Sequence, residues 1–475
     1  MGFNRRQLLV MGIASLGTTW ISHRVFRYRT LSRQKNEKNT RIYRSQDGIL
    51  EVTLDASDRK IRLGDRSARL MTYNQQLPGP RLEAKPGDRV RIHFSNRLEN
   101  ATNLHFHGLH IPITNNGDNV FLSIGKDRTF TYKFQIPSNH RAGLFWYHPH
   151  HHGSVARQLF AGLAGLFVVR GELDEIPEIQ QAEEHFLVLQ DFALDRRGNR
   201  LDESELSIMT GREGNAIAVN GTFNPQFTIP AGKLLRLRLL NASPSRFYRL
   251  ALDRHPLYLI ATDGGALSKP VECREILLSP GERADVLVRC DREPGEYKLL
   301  NLPYERASMG IMSNGQQNLS SQAVATIRYS TSSKLPLPTQ LIPVPELPKP
   351  ELTRQFFMNH GMTPGRGIAF LINGKSYDSE RIDTAVRLNT VEDWELHNTG
   401  IMDHPFHVHG TSFQILTRNG IPEPYRCWKD VVLVKPGEIV NIRLQFRDFT
   451  GKTVYHCHIL DHEDLGMMGN LQIRA

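Results

Sequence analysis

Eight histidines of this chain stand in four His-x-His pairs: His105/His107, His148/His150, His407/His409 and His456/His458. A β-strand sends alternate side chains to opposite faces, so each pair puts two imidazoles on one face, about 7 Å apart. A lone histidine is more often a satisfied structural residue. Four matched pairs gather enough ring nitrogens to hold several metal ions. The last pair encloses Cys457, which alternation turns to the opposite face. His462 follows five residues after the cysteine, Met467 ten residues after it, and His404 precedes the third pair. Two histidines, a thiolate and a thioether make the donor set of a blue-copper electron-transfer site. Zinc competes for Cys/His sites, but structural zinc takes four closely grouped ligands, which strand-spaced pairs do not supply. One strand thus addresses two metal sites, one on each face.

The elements that must carry these residues are strands. Short Val/Ile/Leu/Phe runs alternate with Pro/Gly/Asn turns and helical periodicity is scarce, so the chain reads as all-β. One pattern occurs three times. Asn74, Asn220 and Asn373 each precede a turn, and a strand then runs to Asn96, Asn241 or Asn398. Nine and eleven residues past Asn96 sit His105 and His107; the same offsets from Asn398 give His407 and His409, and from Asn241 give Leu250 and Leu252. A length of 475 residues agrees with three domains of about 150 residues each. They are expected at 45–172, 185–331 and 352–475, with a stiff Pro-rich linker at 332–351. The chemistry falls to the outer two. The middle domain, with leucines in the ligand slots, is expected to be a spacer that helps shape a donor site.

The segments Leu104-His105-Phe106-His107-Gly108, Trp146-Tyr147-His148-Pro149-His150, His404-Pro405-Phe406-His407-Val408-His409-Gly410 and His456-Cys457-His458 through Met467 resemble the motifs of the multicopper oxidases, in particular the three-domain laccase-like bacterial group. The resemblance covers 43–475. It implies three consecutive cupredoxin-like Greek-key β-barrel or sandwich domains and four copper ions. It places His404, Cys457, His462 and Met467 on a type 1 copper and His105 and His407 on a type 2 copper. A type 3 pair would then be held by His107, His148 and His458 on one ion and His150, His409 and His456 on the other. Electrons are expected to enter at an exposed edge of His462 or His404. Glu463 resembles the family's proton-delivery carboxylate, and Asp118 its acidic residue near the type 2 copper. His110, His140, His151, His152 and His397 receive no ligand role; His152 shares the face of His150 and is at most a neighbour of the ligands.

The implied reaction couples four one-electron oxidations of a small donor to reduction of dioxygen to water. Three readings of the donor remain: phenols or aromatic amines, as in laccases; a metal such as cuprous ion; or none, as in scaffold relatives that serve in cell division. Scaffold relatives lose copper ligands, whereas all twelve positions are filled here. Cu(I) oxidases often carry Met-rich inserts, and this chain groups only Met309 with Met312 and Met467 with Met468.

The net charge of +10 suggests a nucleic-acid partner until it is located. Ten Lys/Arg against Glu37 give residues 1–45 a charge of +9, so the body is nearly neutral and nucleic-acid binding is not expected. Residues 1–44 instead resemble a twin-arginine leader, with Arg5-Arg6 before a weakly apolar stretch too short for a stable membrane span. A periplasmic or extracellular monomer is expected, exported by the twin-arginine machinery and tethered at its N-terminus if the leader stays uncleaved. Cys273 and Cys290 flank a turn signal and either bond across a hairpin or remain two core thiols; Cys427 has no visible partner.

Overall fold

A computed structural model describes residues 40–307, 320–363 and 367–475. The twin-arginine segment and Met309 and Met312 lie outside the described residues. The strands form six sheets, two to each third of the chain, and no sheet mixes strands of different thirds. In the first, a four-stranded sheet ordered Arg66–Tyr73, Ile49–Leu63, Arg89–Asn96, Arg128–Gln135 faces a five-stranded one that ends on Gly143–His148 and His105–His107. Non-consecutive neighbours, such as Ile49–Leu63 beside Arg89–Asn96, are the crossovers of a Greek key. Three cupredoxin-like sandwiches result, each with its own apolar core.

The repeated asparagines do the same work in every copy. Asn74, Asn220 and Asn373 adopt positive φ of 51°, 51° and 53°, a region asparagine tolerates better than most residues. Each side chain then bonds both polar groups of a neighbouring strand. The Asn74 amide donates to the Thr53 carbonyl and its Oδ1 accepts from the Asp55 N–H. Asn220 repeats this with Phe186 and Val188, and Asn373 with Gln355 and Phe357. At the strand ends, buried Asn96, Asn241 and Asn398 each donate to two loop carbonyls and accept from the N–H two residues on. These amides fix where the chain leaves one sheet for the other. They thereby set the start of the segments that bear His105, Leu250 and His407. Leu250 and Leu252 are core residues of the middle domain.

The Pro-rich segment has no helix or strand, yet it is pinned. Val344 and Leu347 are buried with Trp428, and the Leu347 N–H donates to Gln414. Cys273 and Cys290 are free thiols, which settles the sequence alternatives against a disulfide; Cys427 is free too. Among the described residues no helix is long and apolar enough to cross a membrane.

Candidate metal centre

Strand pairing assembles the imidazoles within each outer domain. His105–His107 runs antiparallel to Gly143–His148, with His105 opposite His148. His404–Val408 runs antiparallel to Gly451–Cys457, with His407 opposite His456 and Phe406 opposite Cys457. Docking of the two domains brings the faces together. The His107 and His407 rings stack at 3.9 Å and 10°, and His105 and His409 at 3.8 Å and 21°. His150 and His456 meet at 5.0 Å, as do His107 and His458. All eight paired histidines are buried. Their ring nitrogens form overlapping groups within 4.8 Å: His105/His407/His409, His105/His107/His148 and His150/His409/His456.

Hydrogen bonds leave one nitrogen of most rings bare and aimed inward. Nδ1 of His148 faces the Pro149 carbonyl at 2.8 Å, and Nδ1 of His407 the Asp430 carbonyl at 2.7 Å. Both rings thus carry the proton on Nδ1 and keep Nε2 unpartnered. Asp118 brackets His105 Nδ1 at 2.9 and 3.0 Å and leaves its Nε2 unpartnered. His107 is reversed: its Nε2 faces Asp430 Oδ1 at 3.0 Å and its Nδ1 is bare. His456 Nδ1 lies 2.9 Å from the Cys457 carbonyl, and its Nε2 stands 3.2 Å from His150 Nε2 and 3.0 Å from His409 Nε2. Burial, reinforced by neighbouring rings, lowers the pKa of every member, to about 3 for His148 and about 4 for His456. They are neutral imidazoles with unused lone pairs at neutral pH, the form that binds metal.

The other face holds the second site. Cys457 Sγ lies 3.5 Å from His404 Nδ1 and 3.8 Å from His462 Nδ1, and accepts the Ile459 N–H at 3.4 Å. Met467 is buried in the same core and is tied in by its backbone, its carbonyl accepting the Cys457 N–H. Burial pushes the Cys457 thiol well up and holds His404 down at about 3. A thiol this buried ionises when a cation compensates it. The N/S donors here and the all-imidazole cluster on the other face therefore both fit copper.

The expected exposed ring edge is absent. His404 and His462 are both 0% exposed. Phe370 stacks on His462 at 3.9 Å and 13°, and the Met209 carbonyl of the middle-domain helix Glu205–Thr210 faces the same ring. A strand pattern shows which residues share a face but not what another domain lays over it.

The two carboxylates lie against the cluster. Asp118 also accepts the Phe106 N–H at 2.8 Å, and burial raises it to about 8. Glu463 is wholly buried without a hydrogen bond, 3.7 Å from His150 Nε2 and 3.6 Å from His456 Nδ1, and burial drives its pKa well up. The unassigned histidines have other partners. His110 joins the Gly410 carbonyl to Asp448, His140 accepts the His110 N–H, and His151 meets Ser123. His152 lies against Tyr377, and His397 against Phe357. Sequence reasoning missed Asp430, which orients one histidine of each outer domain across 323 and 23 residues. Its only sequence signal is an acidic residue before the apolar run Val431–Val434.

An oxygen-reducing oxidoreductase class is defined by this fold with these sites: the chain belongs to the multicopper oxidases. The sequence profiles of that family match residues 56–174, 183–332 and 347–475. The chain is 32% identical over 440 residues to "Multicopper oxidase mco" of Staphylococcus haemolyticus, covering 90% of each. Among solved structures it is similar to a Campylobacter jejuni multicopper oxidase described as a metallo-oxidase, with 31% identity, TM-score 0.83 and coverage of 92% and 94%. A Pediococcus acidilactici laccase follows, with 29% identity, TM-score 0.79 and coverage of 92% and 93%.

Proposed function

We propose that the chain holds four copper ions and passes electrons from a small one-electron donor to dioxygen. The carrying observation is that Cys457 sits in one donor set while its chain neighbour His456 sits in the other and its other neighbour, His458, packs its ring against His107, His148 and His407 of that cluster. His404, Cys457, His462 and Met467 would hold a type 1 ion, and His105 and His407 a type 2 ion. His107, His148 and His458 would hold one ion of a type 3 pair, and His150, His409 and His456 the other. Copper supplies there the one-electron redox steps and the binding of oxygen. The chain supplies the rest. The backbone from His456 to His458 joins the two sites covalently. Asp118 and Glu463 carry protons at their carboxyl oxygens beside the cluster. The burial of all eight paired histidines excludes bulk water from it.

For the donor, phenols and aromatic amines are the first reading. A second, metal-ion oxidation, is favoured by the burial of His404 and His462, since among the described residues no ring edge is open for an aromatic to lie against. Its similarity to a metallo-oxidase of 31% identity points the same way. The filled ligand positions and their convergence speak against a scaffold without catalysis.

One experiment tests both levels. Copper-loaded parent and Cys457→Ser are compared with Cu(I) and 2,6-dimethoxyphenol. Cys457→Ser is expected to lose the blue absorption and oxidation of both donors while folding normally; retained turnover would overturn the wiring. A large kcat/KM preference of the parent for one donor decides between the readings.

A further inference from the structure

The middle domain supplies no ligand, yet it reaches the cluster. Its strand Arg283–Val288 begins with a guanidinium 1% exposed, and all five of its N–H donors are satisfied. Nε donates to the Leu144 carbonyl of the first domain at 3.0 Å. Nη1 donates to the Gly281 carbonyl at 3.0 Å and to Asp430 Oδ1 at 2.7 Å. Nη2 donates to the Asp263 carbonyl at 2.8 Å and to Asp430 Oδ2 at 2.6 Å. The acceptors come from all three domains. A two-pronged hold on a carboxylate fixes its plane as well as its position.

What Asp430 does with that fixed position is specific. Its Oδ1 accepts a hydrogen bond from His107 Nε2–H, and its carbonyl accepts one from His407 Nδ1–H. Those two rings belong to different domains and lie parallel at 3.9 Å. Asp430 therefore selects opposite tautomers in the two, baring Nδ1 of His107 and Nε2 of His407 toward the cluster. Two glycines keep the space. A Cβ on Gly108 would collide with Asp430 and Arg283, and one on Gly281 would stand 2.8 Å from His458 Nε2.

We propose that Arg283 is a positioning residue of the copper cluster, through which the middle domain sets the tautomer and orientation of His107 and His407 by way of Asp430. This rests on the reading of those histidines as copper ligands. A buried ion pair that only filled space could be replaced by apolar side chains at little cost. A pair that orients ligands cannot, because outer partners of metal-binding histidines are worth about 10–100-fold in metal affinity.

The test compares parent, Arg283→Met, Arg283→Lys and Asp430→Asn. Copper-loaded protein is read for copper affinity, blue absorption and the type 2 paramagnetic signal; metal-free protein is read for imidazole 15N shifts. Arg283→Met is expected to keep the blue absorption, to hold cluster copper about 10–100-fold more weakly, and to shift the ring nitrogens of His107 and His407. Arg283→Lys, which keeps the charge without the fork, should recover part of each. Should Arg283→Met not fold, Asp430→Asn keeps the volume and an acceptor for His107 while removing the charge that holds the guanidinium. Parent-like copper affinity and nitrogen shifts in whichever variant folds overturn the positioning role. Shifted nitrogens in a chain whose parent takes up no cluster copper support the positioning and overturn the copper reading instead.

Discussion

Asp118 and Glu463 are both buried acids beside bare imidazoles, but their surroundings differ. Asp118 is fixed against His105 Nδ1 and the Phe106 N–H, so in the proposed reading it would orient a ring as well as carry a proton. Glu463 has no hydrogen bond from another protein group to either oxygen and lies 3.7 and 3.6 Å from the rings of His150 and His456. Burial holds Asp118 protonated up to about 8 and raises Glu463 too, which makes each a proton source near neutrality. Glu463→Gln keeps shape and burial and removes the exchangeable carboxyl proton. Its expected effect is a loss of about 10²-fold in kcat, the lower range for positioned proton transfer. Blue absorption and the rate of its bleaching by donor under anaerobic conditions should stay unchanged, while the return of colour on adding oxygen slows. Slowed bleaching would place Glu463 in electron entry instead. Asp118→Asn should add a weakened hold on copper by His105, which Glu463→Gln should not.

At the level of elements, the strand Gly451–Cys457 and the short helix Leu460–Asp464 contribute to both sites, through His456, Cys457, His462 and Glu463. The strand's work was legible, because period two is written in His456-Cys457-His458 and its partner pairs. The helix's second task was not. Helix Val155–Phe160 of the first domain begins at Ser154, whose side chain makes no capping bond. Asp464 of the third domain caps it instead, taking the Gly153 N–H at 2.7 Å and the Ala156 N–H at 3.0 Å. No local pattern announces a cap supplied from 308 residues away. The same holds for Arg283 and Asp430, whose contacts to each other, to Leu144 and to His107 cross between three domains, and for Met209 over His462. The sequence expectation of a spacer that helps shape a donor site left these contacts out for this reason. Losing an acceptor at a helix N-terminus costs about 0.5–2 kcal/mol. Asp464→Ala should lower the unfolding free energy by that amount in denaturant titration, and Asp464→Asn by less, since it keeps an acceptor. An Ala variant as stable as the parent would show that the cap does not couple the domains.

For the whole molecule, the cluster concentrates groups whose charge states change on unfolding, and the direction follows from which kind dominates. Thirteen buried histidines have lowered pKa: His105, His107, His110, His140, His148, His150, His255, His404, His407, His409, His456, His458 and His462. They stay neutral when folded and take up protons below about 6.5 when unfolded. Their contribution is present above that pH and is lost as pH falls toward the folded values, such as about 4 for His456 and about 3 for His148. Four buried carboxyls, Asp118, Asp403, Asp430 and Glu463, and the half-buried Asp464 act oppositely: they are raised, with Asp430 at about 6, Asp464 at about 7 and Asp118 at about 8. Each keeps its proton to a higher pH when folded than when unfolded, so their contribution is full below about 4 and fades as pH rises through those values. Each group contributes at most about 1.4 kcal/mol per pH unit in its window. Between about 4.5 and 6.5 the histidines outnumber the carboxyls and stability climbs with pH; unfolded histidines are still half protonated at about 6.5, so the climb ends at about 7, above which the carboxyls dominate and stability declines. Metal-free protein should therefore be most stable at about pH 7 in urea titrations across pH 5–8, with the steeper limb on the acid side. A stability that rises steadily to pH 8 would mean that the carboxyls ionise inside the folded protein, and a flat acid limb would mean that the imidazoles are not held neutral.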